Sequence, residues 1–339
     1  GFFELAYEGL DGIEGTEDDT WGADGIEGTY DDDLPATFDD FKTLVYEIYQ
    51  SGITPFTWSG MYAWMRTFYL DLVFMNYEGM SDYLLNYSLN GTDSQADVGE
   101  ITLENGYKLL NQDGRTAACA MAEFMTSESG FYSNKAFKNS QTHLEAQNDF
   151  LGSATRSGSK RIAMLIDGAW WEYEAKSIMT EMAKVRGSKY DYGNRRFGYM
   201  PVPFFEEDES IGLERQTNTT AVLRSGKGAP IFVNAKVKSA SEKKQALVRT
   251  FMQYAQSTQS VKDFMLTTGS CRMVETNLTD EDLEQCTFMT RQVYHLLNDG
   301  KSECFTESAK YDVRTKYPSL FNGWWFTSQV GEGGNMKIM

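Results

Sequence analysis

The feature that constrains this chain most is the run Ile162-Ala-Met-Leu-Ile166, closed by Asp167-Gly168 and leading at once into helix-patterned residues from Ala169 to about Lys184. A short apolar strand bounded by a turn signal and followed by a helix belongs to an α/β body, where helices cover the sheet that the strands build. Phe197-Gly-Tyr-Met-Pro-Val-Pro203 predicts another extended piece, because each Pro biases its predecessor away from the helical region. Pro230 to Val237 predicts a further strand, and residues 206–228 a polar exposed loop.

Most of the remaining apolar spacing is helical. Thr37 with Asp40 forms a capping-box pattern ahead of Phe38, Phe41, Leu44, Val45, Ile48 and Tyr49, and Gly52 with Pro55 closes that helix. Further helices are predicted at about 61–76, 103–111, 116–126 and 142–151. Ser241, Thr258 and Thr279 then open three more, Thr268-Gly269 ends the second and Gly300 the third, and a last lies near 307–315. The fold class expected is helix-rich α/β with few short strands.

A length of 339 residues leaves room for two packed bodies or one large discontinuous one. The 21 Phe, 19 Tyr and 7 Trp can fill a core and leave rings over for a binding surface. A net charge of −18 argues against nucleic acid, whose binding rests on Lys and Arg neutralising phosphates, and against docking on an anionic membrane. No stretch approaches the roughly 20 apolar residues a membrane helix needs. The abrupt ends, Gly1-Phe2-Phe3-Glu4 and Gly334 to Met339, are expected of an excised fragment. Four cysteines without a Cys-x-x-Cys, and two His, make a zinc site improbable. Cys271, Cys286 and Cys304 leave one disulfide or free thiols equally open. The sequons at Asn86, Asn90, Asn218 and Asn277 carry no weight in a bacterial protein, which this chain is expected to be.

Two constellations are candidates for chemistry. Asp11 to Asp19 returns nearly unchanged as Asp24 to Asp32, an Asp-Gly-x-x-Gly-Thr-x-Asp-Asp loop. Calcium favours several oxygens on a tight turn, so Asp24, Glu27, Asp31 and Asp32 are candidate ligands; the alternative is a solvated acidic turn. No other cofactor is required. The second constellation is aromatic. Phe56 and Trp58, with Tyr62 and Trp64, sit where a loop enters a helix, and Asp167 with Trp170 and Trp171 sits where a strand ends. Aromatic rings stack on the apolar face of a sugar while carboxylates take its hydroxyls, and ligands of open α/β sheets favour strand ends. Core packing is the competing reading, favoured for Trp64 and Trp171 but not for Trp58 and Trp170.

There is no Gly-x-Ser-x-Gly, phosphate loop or His-Glu-x-x-His, so an enzyme is not expected. The alternatives are a calcium-stabilised carbohydrate-binding or adhesion module, which would be a β-sandwich, and a glycoside hydrolase fragment with two carboxylates across a cleft.

Several segments together resemble family 1 extracellular solute-binding proteins, the sugar-binding lipoproteins of ABC importers. They are Asp24-Gly25 through Tyr30-Asp31-Asp32 with Leu34-Pro35-Ala36-Thr37, Ile53 to Trp58, Ala163 to Trp170, Phe197 to Pro203, Phe232 to Asn234, Ser239 to Lys244, Phe251-Met252 and Thr268-Gly269. Their order and spacing over about 270 residues carries the likeness. The resemblance implies two lobes that close on a mono- or oligosaccharide, with most of the N-terminal lobe lacking here. Residues 1–224 and 270–339 would form lobe two, and 228–269 would belong to lobe one. It implies permease subunits as partners, a monomer, an extracellular lipid-anchored or periplasmic setting, and no transmembrane segment. Phe56, Trp58 and Trp170 would face the cleft, with Tyr62, Asp167 and Trp171 as further candidates.

Overall fold

The computed structural model describes residues 34–88, 102, 104–109, 111–155, 160–224, 233–272, 276–298, 300 and 302–305. The candidate calcium residues Asp24, Glu27, Asp31 and Asp32 lie outside these, as do the helix expected near 307–315 and Pro230 to Phe232. The described chain is helix-rich α/β, as expected, and it divides into two compact units. The first takes in residues 34–168 and 200–223, the second 169–199 and 224–305.

In the first unit, α1 (Phe38–Gln50) starts as its sequence predicts. The Thr37 hydroxyl accepts from the Asp40 amide at 3.1 Å and the Asp40 carboxylate accepts from the Thr37 amide at 2.8 Å. Its apolar stripe of Phe41, Leu44, Val45 and Ile48 is buried. Gly52, at φ 77°, turns the chain into β1 (Thr54–Trp58). β1 pairs in parallel with β2 (Ile162–Ile166), Thr54 opposite Ile162 and Trp58 opposite Ile166. Its other edge bonds to a strap: Phe56 N donates to Phe131 O at 2.8 Å, and Ser133 N to Phe56 O at 2.9 Å. With both edges occupied, all five residues of β1 are buried. A ring cluster of Phe38, Phe41, Phe56, Phe124, Phe131 and Phe205 packs edge to face and stacked around this strand.

The helix predicted for 61–76 is α2 (Ala63–Ser88), longer than expected and interrupted at Gly79, whose φ is 75°. The break frees the Asn76 carbonyl from its helical partner, and the Gln216 and Asn218 amides take it at 3.0 and 2.8 Å. The Asn76 side chain meanwhile exchanges two 2.9 Å hydrogen bonds with the Val222 backbone, tying in the start of β3 (Ala221–Arg224). That strand falls inside the stretch expected to be a loop. The helix predicted at 103–111 is only a 3-10 turn, Gly106–Leu109. α3 (Asp113–Thr126) and α4 (His143–Ser153) appear close to their predicted places, the latter with a Thr142–Glu145 capping box.

The second unit is built from α5 (Trp171–Glu174), α6 (Lys176–Arg186), α7 (Glu242–Ala255), α8 (Thr258–Thr268), α9 (Asp280–Glu284), α10 (Phe288–Asn298) and β4 (Ser302–Phe305). The single helices predicted at 169–184 and 279–297 are each split, at Ala175 and just before Phe288. The strand predicted over 230–237 fails in its described part. The Asn234 carboxamide accepts from Lys236 N at 2.9 Å and starts a 3-10 turn, Ala235–Ser239, instead. Residues 197–203 form no strand. Gly269, in the left-handed region, caps α8 as predicted. Val261 and Met265 of α8 share one apolar cluster with Leu283 and Tyr294, and Cys271 and Leu278 pack against it. That cluster holds the described part of 270–305 with 224–269, where the sequence reading sets 270–339 with 1–224.

Candidate functional site

β1 and β2 end side by side, so Ser59-Gly60-Met61-Tyr62 and Asp167-Gly168 leave the sheet together. The first of these segments is pinned down. The Ser59 hydroxyl donates to Gln141 O at 2.9 Å and accepts from Tyr62 N at 3.2 Å, while Met61 N donates to Gln141 O at 3.0 Å. A side chain on Gly60 would run into the Lys138 backbone, so the turn can pass this close only with glycine. The Tyr62 ring lies 5.6 Å from the His143 ring at the start of α4.

Asp167 is held just as firmly. Its Oδ1 accepts from Gly168 N at 2.7 Å, and its Oδ2 accepts from Gln147 Nε2 at 3.0 Å. Gln147 is fully buried on α4 beside Ala146, Phe150 and Leu151. The result is a half-buried carboxylate with a fixed orientation at the C-terminal end of a parallel strand pair. Such a group is suited to accept hydrogen bonds from a polyol without having to be ordered first.

The tryptophans divide sharply. Trp58 is only 2% exposed, its ring enclosed by Tyr132 at 5.7 Å and Phe137 at 5.2 Å. Phe56 lies equally deep, against Phe41. Neither ring faces solvent here, contrary to the expectation that both face a cleft. Two residues apart, Phe56 and Trp58 share one face of β1, and the rings of Phe41, Tyr132 and Phe137 pack against them there. Trp58 Nε1 and the Thr57 hydroxyl are buried without a hydrogen-bond partner. In the second unit Trp170 is 38% exposed, while Trp171 is buried edge-on against Phe197 at 4.8 Å, as the core reading of Trp171 has it.

One buried and one half-buried glutamate escaped the sequence reading. Glu172, 2% exposed, has Oε2 at 2.6 Å from Thr287 Oγ1, and burial pushes its pKa up. Glu78 accepts from Gly114 N at 2.6 Å at the start of α3. Burial is the main cause that pushes its pKa up to about 7, with the Gly114 amide opposing it, Asp82 and Asp113 adding to it, and Arg115 opposing. Gln147, by contrast, had a signal: an amide on the apolar stripe of an amphipathic helix needs a polar partner. Among the described residues no cluster of three or more His, Cys, Asp or Glu could hold a metal, and all four cysteines are free thiols.

No family model matches the chain, and no curated protein does. Solved structures similar to it include two of RafE. One is the SBP RafE in complex with raffinose, at TM-score 0.47 and 16% identity over 85% of this chain and 62% of that one. The other is the apo-form of RafE from Streptococcus pneumoniae, at TM-score 0.43 and 16% identity with the same coverage. The chain thus spans 62% of the length of these structures. Among the described residues no helix is long and apolar enough to cross a membrane.

Proposed function

We propose that this chain is part of an extracellular solute-binding protein of the family 1 kind, which captures a mono- or oligosaccharide and passes it unchanged to the permease subunits of an ABC importer. The observation that carries this reading is the Asp167 carboxylate, held by Gln147 and Gly168 at the edge where two parallel strands end. Strand ends of α/β sheets are where such folds take small ligands. In this reading Asp167 accepts sugar hydroxyls, and Tyr62, on the segment that leaves the neighbouring strand end, offers a ring. Phe56 and Trp58 support the floor from beneath rather than touching the solute. In the second unit, taken by itself, Trp170 is the ring exposed for stacking, and Trp171 packs into the core against Phe197. The β-sandwich alternative does not agree with a helix-rich fold.

Calorimetric titration of the complete protein with a panel of mono- and oligosaccharides tests the reading. One sugar of the panel should bind, and Asp167→Ala should weaken that binding at least tenfold, because a buried-edge carboxylate bond to a hydroxyl contributes about 1.5–3 kcal/mol. Binding that survives Asp167→Ala unchanged, or turnover of the sugar during the titration, would sink it.

A further inference from the structure

Three oxygen–oxygen contacts run in a row inside the second unit. Glu172 Oε2 lies 2.6 Å from Thr287 Oγ1, Thr287 Oγ1 lies 3.0 Å from Thr290 Oγ1, and Thr290 Oγ1 lies 2.7 Å from the Gly269 carbonyl oxygen. The three side chains are buried. At these distances each contact is a hydrogen bond, and each needs one proton. Two hydroxyls supply two protons, and a carbonyl supplies none. The Gly269 carbonyl therefore takes the proton of Thr290, and the middle contact takes the proton of Thr287. The bond to Glu172 is left to be made with a proton from the carboxyl itself. Were Glu172 ionised, Thr287 would have to donate to it, and either the middle contact or the Gly269 carbonyl would go without. Thr290 N also donates to Thr287 Oγ1 at 3.3 Å, which occupies a lone pair of that hydroxyl without supplying the missing hydroxyl proton.

We infer that Glu172 is a neutral carboxylic acid in the folded protein at neutral pH, the donor end of a proton-ordered row, Glu172 to Thr287 to Thr290 to Gly269, that ties α5 to the start of α10 and the cap of α8. The other carboxyl oxygen, Oε1, is buried with no partner. A C=O of a neutral acid tolerates that far better than half of a carboxylate does. The surrounding groups do not supply a counter-charge. On the α5–α6 side, the Lys176 ammonium stands over the Tyr173 and Tyr192 rings at 5.7 and 4.9 Å. Asp191 accepts from Thr180 and from Tyr192 N. From α9 and α10, Asp282 pairs with Lys262 at 2.6 Å, and Arg291 reaches the Cys286 carbonyl at 3.5 Å. The thiols of Cys271 and Cys286 are both pushed up by burial, and so stay neutral. Among the described residues no cation forms an ion pair with Glu172. Burial, the larger cause, raises the Glu172 pKa in agreement with the proton count, while a hydrogen bond donated by Thr287 to the ionised form opposes it.

The sign of the pH effect follows. A carboxyl raised above its unfolded value gives stability that is complete below that unfolded value and is lost as pH rises through the folded one. In alkali the row loses a proton, a charge appears in the interior, and α5 is released. If Trp170 stacks on a solute, which rests on the proposed function, the same device fixes the helix that begins beside it. The test uses no solute, so its failure and the failure of that function can be told apart. With glutamate carboxyl carbons labelled and Glu172 assigned through its own backbone, NMR should show its carboxyl carbon still protonated at a pH where the exposed glutamates have all ionised. In parallel, Glu172→Gln, whose amide can donate to Thr287, should match the wild-type Tm at acid pH and exceed it increasingly as pH rises. A Glu172 carbon that titrates together with the exposed glutamates overturns the inference, and so does a wild type that gains on the variant as pH rises.

Discussion

The first unit half-buries Glu78 and the second buries Glu172, each sets one tryptophan near a strand end, and the two units treat these pairs differently. In the first, Trp58 is enclosed by Tyr132 and Phe137, and Glu78 is met by a backbone amide, Gly114 N. In the second, Trp170 is 38% exposed, and Glu172 is met by a hydroxyl. An amide has one fixed direction of donation and favours the charged acid, whereas a hydroxyl can reverse and accept from a neutral one. The rings differ in the same sense. A ring sealed among rings contributes to the fold, and a ring left in water contributes to whatever touches it.

The largest expected effect tests the sealed ring. Trp58→Ala should destabilise the protein by about 3–5 kcal/mol, the usual loss for an aromatic removed from a packed core. Trp58→Phe should lose much less, because it keeps most of the packing and removes the indole N–H that is buried without a partner. Urea unfolding of both variants measures this. A Trp58→Ala protein as stable as the wild type would mean the ring is not core, and the contrast with Trp170 would fall.

The next effect tests the glutamate of the first unit. The Glu78 carboxyl is raised from 4.5 to about 7, a difference of roughly 2.5 units, or roughly 3 kcal/mol. Because its folded value lies above the unfolded one, this stability is fully present below pH 4.5 and fades as pH rises to about 7. Glu78→Gln should remove that slope, so the stability difference between wild type and variant changes across this window and is constant above it. Parallel slopes in urea unfolding from pH 4 to 8 would show that Glu78 is not the titrating group.

How much of this the sequence carried depended on whether the signal was local. Capping boxes at Thr37, Thr142 and Thr279 are short-range chemistry, three residues long, and each is present. The strand Ile162–Ile166 and the left-handed cap at Gly269 were legible for the same reason. The burial of Trp58 was not, because it depends on the strap at 131–133, which the chain reaches some 70 residues later. The helix-period residues on α7 were legible only in part. Leu247, Phe251 and Tyr254 recur at helical spacing and the helix is there, yet all three are exposed, so the spacing marks the helix and not a buried face. Asp167 was named for its place after a strand, and the apolar stripe around Gln147 marked that amide as needing a partner, but nothing local showed that the partner is Asp167, 20 residues on. The row from Glu172 to Gly269 joins positions separated by about 100 residues, so nothing local could show it.

The smallest effect on stability belongs to Trp170, and it sharpens the comparison from the other side. With a ring over a third exposed and no place in the buried core, Trp170→Ala should change unfolding free energy by no more than about 1 kcal/mol, near the range of surface substitutions. Its consequence should appear in solute binding instead. Taking the stacked sugar face to be held like an aromatic pair, about 0.5–1.5 kcal/mol beyond area burial, predicts a roughly two- to tenfold loss of affinity by calorimetry. The two tryptophans would then separate cleanly: Trp58 moves the fold and Trp170 moves the ligand. A Trp170→Ala protein that loses several kcal/mol in urea while binding sugar as before would reverse that division.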